Sequence, residues 1–114
     1  MTLDWIYHRN GCVTCARAQD FLTRKKVKAA TVVDAKKTRI GPDEAVAMAR
    51  KFDEIYASKG TKLVHLNLKK ENVDDDELKK LIIGPSGNLR APTLQVGKVL
   101  LVGFNEESYS KILK

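Results

Sequence analysis

The first 25 residues constrain this chain most. "TLDWIYH" (2–8) is rich in aromatic and β-branched residues and predicts a strand. Asn10-Gly11 break it. A helix is then predicted from Cys12 to about Lys25, with Ala18, Phe21 and Leu22 at core spacing. A strand that runs straight into a helix opens an alternating α/β chain. Both cysteines of the protein, Cys12 and Cys15, stand at this junction with C-x-x-C spacing.

The alternation continues. "KAATVVD" (28–34) predicts a second strand. Gly41-Pro42-Asp43-Glu44 is a strong helix start, since proline suits the first turn and acids suit the positive helix end. Ala45, Met48, Ala49, Phe52, Ile55 and Tyr56 recur at helical spacing, and Gly60 is the expected C-terminal cap. "KLVHLNL" (62–68) alternates and predicts a third strand. Asp74 with Glu77 forms a capping box for a short helix through Leu78, Leu81 and Ile82. "GPSGN" (84–88) predicts a loop, and "PTLQVGKVLLVGF" (92–104) a hairpin turning at Gly97-Lys98. Asn105 caps a final helix with Tyr109, Ile112 and Leu113 facing inward. The expected order is βαβαβαββα, with the first three strands parallel through right-handed crossovers and helices on both faces of the sheet.

A chain of 114 residues fits one domain, residues 1–114, with a core of its own. No apolar run approaches the ~20 residues of a membrane span. "MTLDWIYHRNG" lacks the basic head and long apolar centre of a signal peptide, so a cytoplasmic protein with no membrane partner is expected. The formal charge is +7. The lysines are spread over helix faces with acids interleaved and no aromatics among them for base stacking, so nucleic acid is not an expected partner.

The spacing of Cys12 and Cys15 leaves three readings: a redox pair, part of a metal site, or two small buried residues. A structural zinc site takes four ligands. The chain offers only these cysteines, His8 and His65, and His65 stands alone on a predicted strand. No metal is therefore expected. Redox chemistry has more support. A cysteine attacks as its thiolate, and Cys12 sits where the unpaired N–H groups and positive dipole end of the helix stabilise one, with Arg9, Arg17 and His8 close in sequence. Cys15 follows one turn deeper on the same face. The assignment is Cys12 as nucleophile and Cys15 as the resolving thiol.

Two stretches resemble one superfamily. "WIYHRNGCVTC" resembles the glutaredoxin entry, and "RAPTLQVGKVLLVGF" the later glutaredoxin and thioredoxin signature. "LLVGFNEE" is also similar to the end of arsenate reductase-like proteins and of their relatives that regulate RNA polymerase. The resemblance implies a thioredoxin-like three-layer fold around a central mixed sheet, with residues 28–60 as an insertion-like strand and helix. It implies that Pro92 is cis and faces the cysteines, that the backbone of Ala91 pairs with an extended substrate, that Arg9 meets a glutathione carboxylate, and that Gly103 lies near a bound γ-glutamyl group. Arg90 then falls beside the proline loop. Some positions depart from the family patterns. Val13 and Thr14 stand between the cysteines where glutaredoxins carry proline and an aromatic residue, and Phe104 replaces the second late glycine. Ala91 stands where arsenate reductases have arginine, with Arg90 one step earlier.

The expected function is thiol–disulfide exchange on a disulfide-bearing protein or a small thiol substrate. It needs no bound cofactor and takes electrons from glutathione or another thiol. Two alternatives are a redox-switched module binding a protein partner, and an arsenate reductase-like oxyanion reductase.

Overall fold

The computed structural model describes residues 2–113. Its elements are β1 (Thr2–His8), α1 (Val13–Arg24), β2 (Lys28–Asp34), α2 (Pro42–Ala49), β3 (Glu54–Lys59), β4 (Lys62–Asn67), α3 (Asp75–Ile82), β5 (Thr93–Val96), β6 (Val99–Val102) and α4 (Glu106–Ile112). The six strands form one mixed sheet in the order β2-β1-β5-β6-β3-β4. β1 pairs parallel with β2, and β3 parallel with β6; the other three pairings are antiparallel.

Each face of the sheet carries two helices. On one face α2 (Ala45, Val46, Ala49) and α3 (Leu78, Ile82) cover Tyr7, Ile55, Ala57, Leu100 and Val102. On the other, α1 (Ala18, Phe21, Leu22) and α4 (Tyr109) cover Ile6, Tyr56, Leu94 and Leu101. β3 and β6 thus send alternate residues into two different cores. That is why "VLLV" reads as an unbroken apolar run: a strand covered on both faces has no polar side. The architecture is the three-layer α/β fold around a mixed sheet expected from the sequence.

One element differs. The helix expected from Pro42 to Gly60 stops at Ala49, and Glu54–Lys59 is a strand. The order is therefore βαβαββαββα. Ile55, Tyr56 and Ala57 are all buried, and a short run buried on both sides has no period that separates strand from helix. Ladders to β4 and β6 then decide the matter. Gly60, expected to cap a helix, instead turns the β3–β4 hairpin with a φ of +60°. β4, expected to be parallel, runs antiparallel to β3 as a consequence. The caps hold as expected: Glu77 N–H donates to Asp74 Oδ1 at 2.8 Å, and Ser108 N–H to Asn105 Oδ1 at 2.8 Å. The turn at Gly97-Lys98 also stands, with Gly97 at φ +58°.

Candidate active site

The parallel strands β1 and β2 end at the same edge of the sheet, where α/β proteins place their ligand crevices. β1 gives out at His8. Gly11, at φ +82°, turns the chain so that Cys12 becomes the N-cap of α1 with extended backbone angles. Cys12 Sγ accepts the Cys15 N–H at 3.4 Å, taking the place of the usual hydroxyl or carboxylate cap. Cys15, within the first turn, is fully buried.

The geometry divides the two thiols electrostatically. Burial opposes ionisation of Cys12, but hydrogen bonds from the Cys15 backbone, the Cys15 thiol and the Thr14 backbone outweigh it, with Arg9 adding its charge. The net effect lowers the Cys12 pKa. Burial acts on Cys15 with less opposition and pushes its thiol up to about 12; the neighbouring Cys12 adds to that rise.

Facing Cys12 is the loop Arg90-Ala91-Pro92, whose Ala91–Pro92 bond is cis, as the resemblance implied. The loop is pinned on several sides. Arg90 N–H donates to Ile82 O at 2.8 Å, Thr93 Oγ1 to Arg90 O at 2.6 Å, and Gly103 N–H to Pro92 O at 2.8 Å. Cys12 Sγ lies 3.9 Å from Ala91 O. Among the described residues, no group accepts from the Ala91 N–H.

These elements enclose an open cleft of about 580 Å³. It runs from Cys12 to the loop after β2 and the "GPSGN" loop after α3. Arg9, Lys36, Arg39 and Arg90 line it, and no carboxylate does. Tyr7 forms part of its wall: the hydroxyl donates to Thr38 O at 2.6 Å and accepts from Ile40 N–H at 3.3 Å, fastening the β2–α2 connection over the sheet edge. Burial raises the Tyr7 pKa, so this hydroxyl keeps its proton. A smaller cleft of about 260 Å³ shares Arg9 and Cys12 with the first and runs along α1 past Ala16, Gln19 and Asp20. His8 borders it, and His8 Nδ1 is buried without a hydrogen-bond partner.

Of the residues singled out from sequence, Arg9, Cys12, Arg90 and Ala91 come together around the larger cleft. Pro92 is buried behind Ala91. Gly103 does not line the cleft; its Cα faces Ser58 and the Arg90 guanidinium instead. Arg90 is half-buried, and desolvation lowers its pKa. Its guanidinium donates to Leu81 O at 3.0 Å and to Ser58 Oγ at 3.4 Å. Lys36, Arg39 and Thr14 were not singled out from sequence. The signal that reaches Lys36 and Arg39 is topological: both follow a strand parallel to β1, so they must emerge at the same sheet edge. His65, away from this site, meets Glu54 Oε1 at 2.9 Å and stacks on Tyr56. Among the described residues no three His, Cys, Asp or Glu side chains gather as a metal-binding group. No described helix is long and apolar enough to cross a membrane.

A cysteine at the N-cap of the first helix, opposite a cis-proline at the start of an antiparallel hairpin, defines a thioredoxin-like protein. Within that class the chain belongs to the ArsC family, whose model matches residues 7–112. The solved structure of the YffB protein has the same fold. It is 20% identical, the match covers 96% of this chain and 98% of that one, and the TM-score is 0.58. No curated protein matches significantly.

Proposed function

We propose that the protein is a thiol–disulfide oxidoreductase that works through Cys12 and Cys15. The observation that carries this reading is the opposite treatment of two thiols one turn apart: Cys12 partly exposed with its thiolate stabilised, Cys15 buried with its proton held. The Cys12 thiolate attacks one sulfur of a substrate disulfide. A Cys12–substrate S–S bond forms, the original S–S bond breaks, and the departing thiolate takes a proton from water. Cys15 then gives up its proton and attacks Cys12 Sγ. The Cys12–Cys15 bond forms and the second substrate thiol leaves, so two electrons pass from the dithiol to the substrate. A thiol of the glutathione class returns them. The loss of Cys12 negative charge in the mixed disulfide removes one of the influences that hold the Cys15 proton. The Ala91 N–H, which has no acceptor among the described residues, suits a carbonyl of an extended substrate backbone.

The test uses a small neutral disulfide such as 2-hydroxyethyl disulfide, with a thiol donor. Cys12→Ser abolishes turnover to background. Cys15→Ser forms a mixed disulfide on Cys12 that mass spectrometry detects as a stable adduct. Full activity in both variants overturns the reading.

One observation favours a second reading, oxyanion reduction with Cys12 as nucleophile. Membership of the ArsC family joins with a half-buried Arg90 that lines the cleft and has no carboxylate partner. Arsenate-dependent oxidation of a thiol donor, absent in Cys12→Ser, supports it; no such oxidation by the wild type rejects it.

A further inference from the structure

Resting on the disulfide-exchange reading, we infer that the substrate is a polypeptide with acidic side chains on one flank of its reactive half-cystine. That flank lies in the larger cleft.

Two features point to a polypeptide. Cys12 stands where two clefts of about 580 and 260 Å³ meet, so a chain crossing it has room on both sides of the attacked sulfur. A half-cystine within a polypeptide needs that room, whereas a small disulfide does not. Beside Cys12, the Ala91 N–H has no acceptor among the described residues and the apolar Val13 is 71% exposed, which gives an extended segment a backbone donor for one of its carbonyls and an apolar rim.

The charge is distributed unevenly between the clefts. The larger presents Arg9, Lys36, Arg39 and Arg90 with no acid. None of the four forms an ion pair among the described residues. The smaller contains Asp20 and Gln19 beside Arg9 and His8, a mixed lining. Unpaired cations converging on one open cleft favour carboxylates there, and the asymmetry gives the bound segment a polarity. Lys36 and Arg39 are exposed, and among the described residues their side chains make no hydrogen bond or ion pair, so they are free to turn toward such a ligand.

The experiment compares three peptides, each carrying one cysteine as a mixed disulfide with a neutral thiol. One has two Glu before the cysteine, one has two Glu after it, and one has Gln at all four places. Stopped-flow rates with the reduced protein are measured across a salt series. The expected result is that one acidic peptide reacts roughly five- to tenfold faster than the Gln peptide, the sum of two partly exposed ion pairs. The other acidic peptide gains much less, and the gain fades with salt. In K36E/R39E the ratio of acidic to Gln rates falls to one or below. These are exposed loop substitutions, and the circular dichroism spectrum checks folding. Equal rates for all three peptides overturn the inference. So do equal gains for both acidic peptides, since overall positive charge then suffices. Oxidised glutathione matching the faster peptide, with the same loss in the variant, overturns the polypeptide assignment. Failure of the underlying redox reading has a separate signature: no reaction with the neutral 2-hydroxyethyl disulfide either.

Discussion

At the residue scale, Cys12 and Cys15 share a helix turn yet differ in how readily they lose a proton, and alkylation reads that difference directly. Cys12 has a lowered pKa, so it is ionised at pH values where an ordinary thiol, near ~8.5, remains protonated. Its reaction rate with iodoacetamide is expected to reach half-maximum below that value and to fall about tenfold per pH unit beneath its own midpoint. Cys15, pushed up to about 12, stays a thiol throughout and is not modified in the folded protein. Peptide mass spectrometry across a pH series checks both. A Cys12 midpoint at or above ~8.5 means that the N-cap arrangement fails to stabilise the thiolate. Arg9→Gln shifts the midpoint only slightly upward, because the hydrogen bonds from Cys15 and Thr14 precede Arg9 among the stabilising influences. These residues were legible in the sequence because their chemistry depends on local spacing: a cap position, a cysteine one turn on, a basic residue three before. Lys36 and Arg39 were not. "DAKKTR" is what a solvated basic segment looks like. What brings it to the site is the Tyr7 hydroxyl gripping Thr38 and Ile40 across more than 30 positions of chain. No local pattern encodes that distance.

At the scale of elements, the hairpin and the strand beside it position the Arg90 side of the site. Gly103 follows β6 at φ +78°, and a Cβ there would collide with Ser58 Oγ and press on the Arg90 guanidinium. The glycine thus lets β3, β6 and the proline loop close on one another. Gly103→Ala is expected to destabilise the fold by about 1–3 kcal/mol from the backbone conformation alone, with more from the collision. Ser58→Ala removes the hydroxyl that meets the new methyl. The double variant Gly103→Ala/Ser58→Ala is therefore expected to be more stable than the sum of the two single changes predicts, a coupling that urea denaturation measures. Strict additivity shows that the two positions do not press on each other. This register was only partly visible beforehand. The turn residues and caps gave the hairpin and the last helix, but Glu54–Lys59 carries buried residues on both faces and so presents no period of its own. Its identity as a strand comes from its partners: β6, 45 positions along the chain (Glu54 with Val99), and β4, up to 13 positions along (Glu54 with Asn67).

At the scale of the whole molecule, one sheet separates two cores, and each core alone is small. The sheet joins them, because β3 and β6 feed both faces. A domain of this size is expected to unfold in one step. Leu101 and Trp5 test that expectation. Leu101 is fully buried in the core beneath α1 and α4, whereas Trp5 packs against the opposite core and stacks on Tyr7 at 5.7 Å. Leu101→Ala is expected to cost about 2–5 kcal/mol, within a total stability of roughly 5–15 kcal/mol for a domain, so the variant still folds in water. If the sheet transmits the loss, tryptophan fluorescence and far-ultraviolet circular dichroism give the same lowered urea midpoint, although the substitution is on the face away from Trp5. If the cores unfold separately, the circular dichroism midpoint drops while the fluorescence midpoint stays near that of the wild type. The first outcome ties the active site to both cores. Cys15 descends from α1 toward one, Tyr7 holds the cationic loop over the other, and Cys12 keeps its place only while the sheet between them is intact.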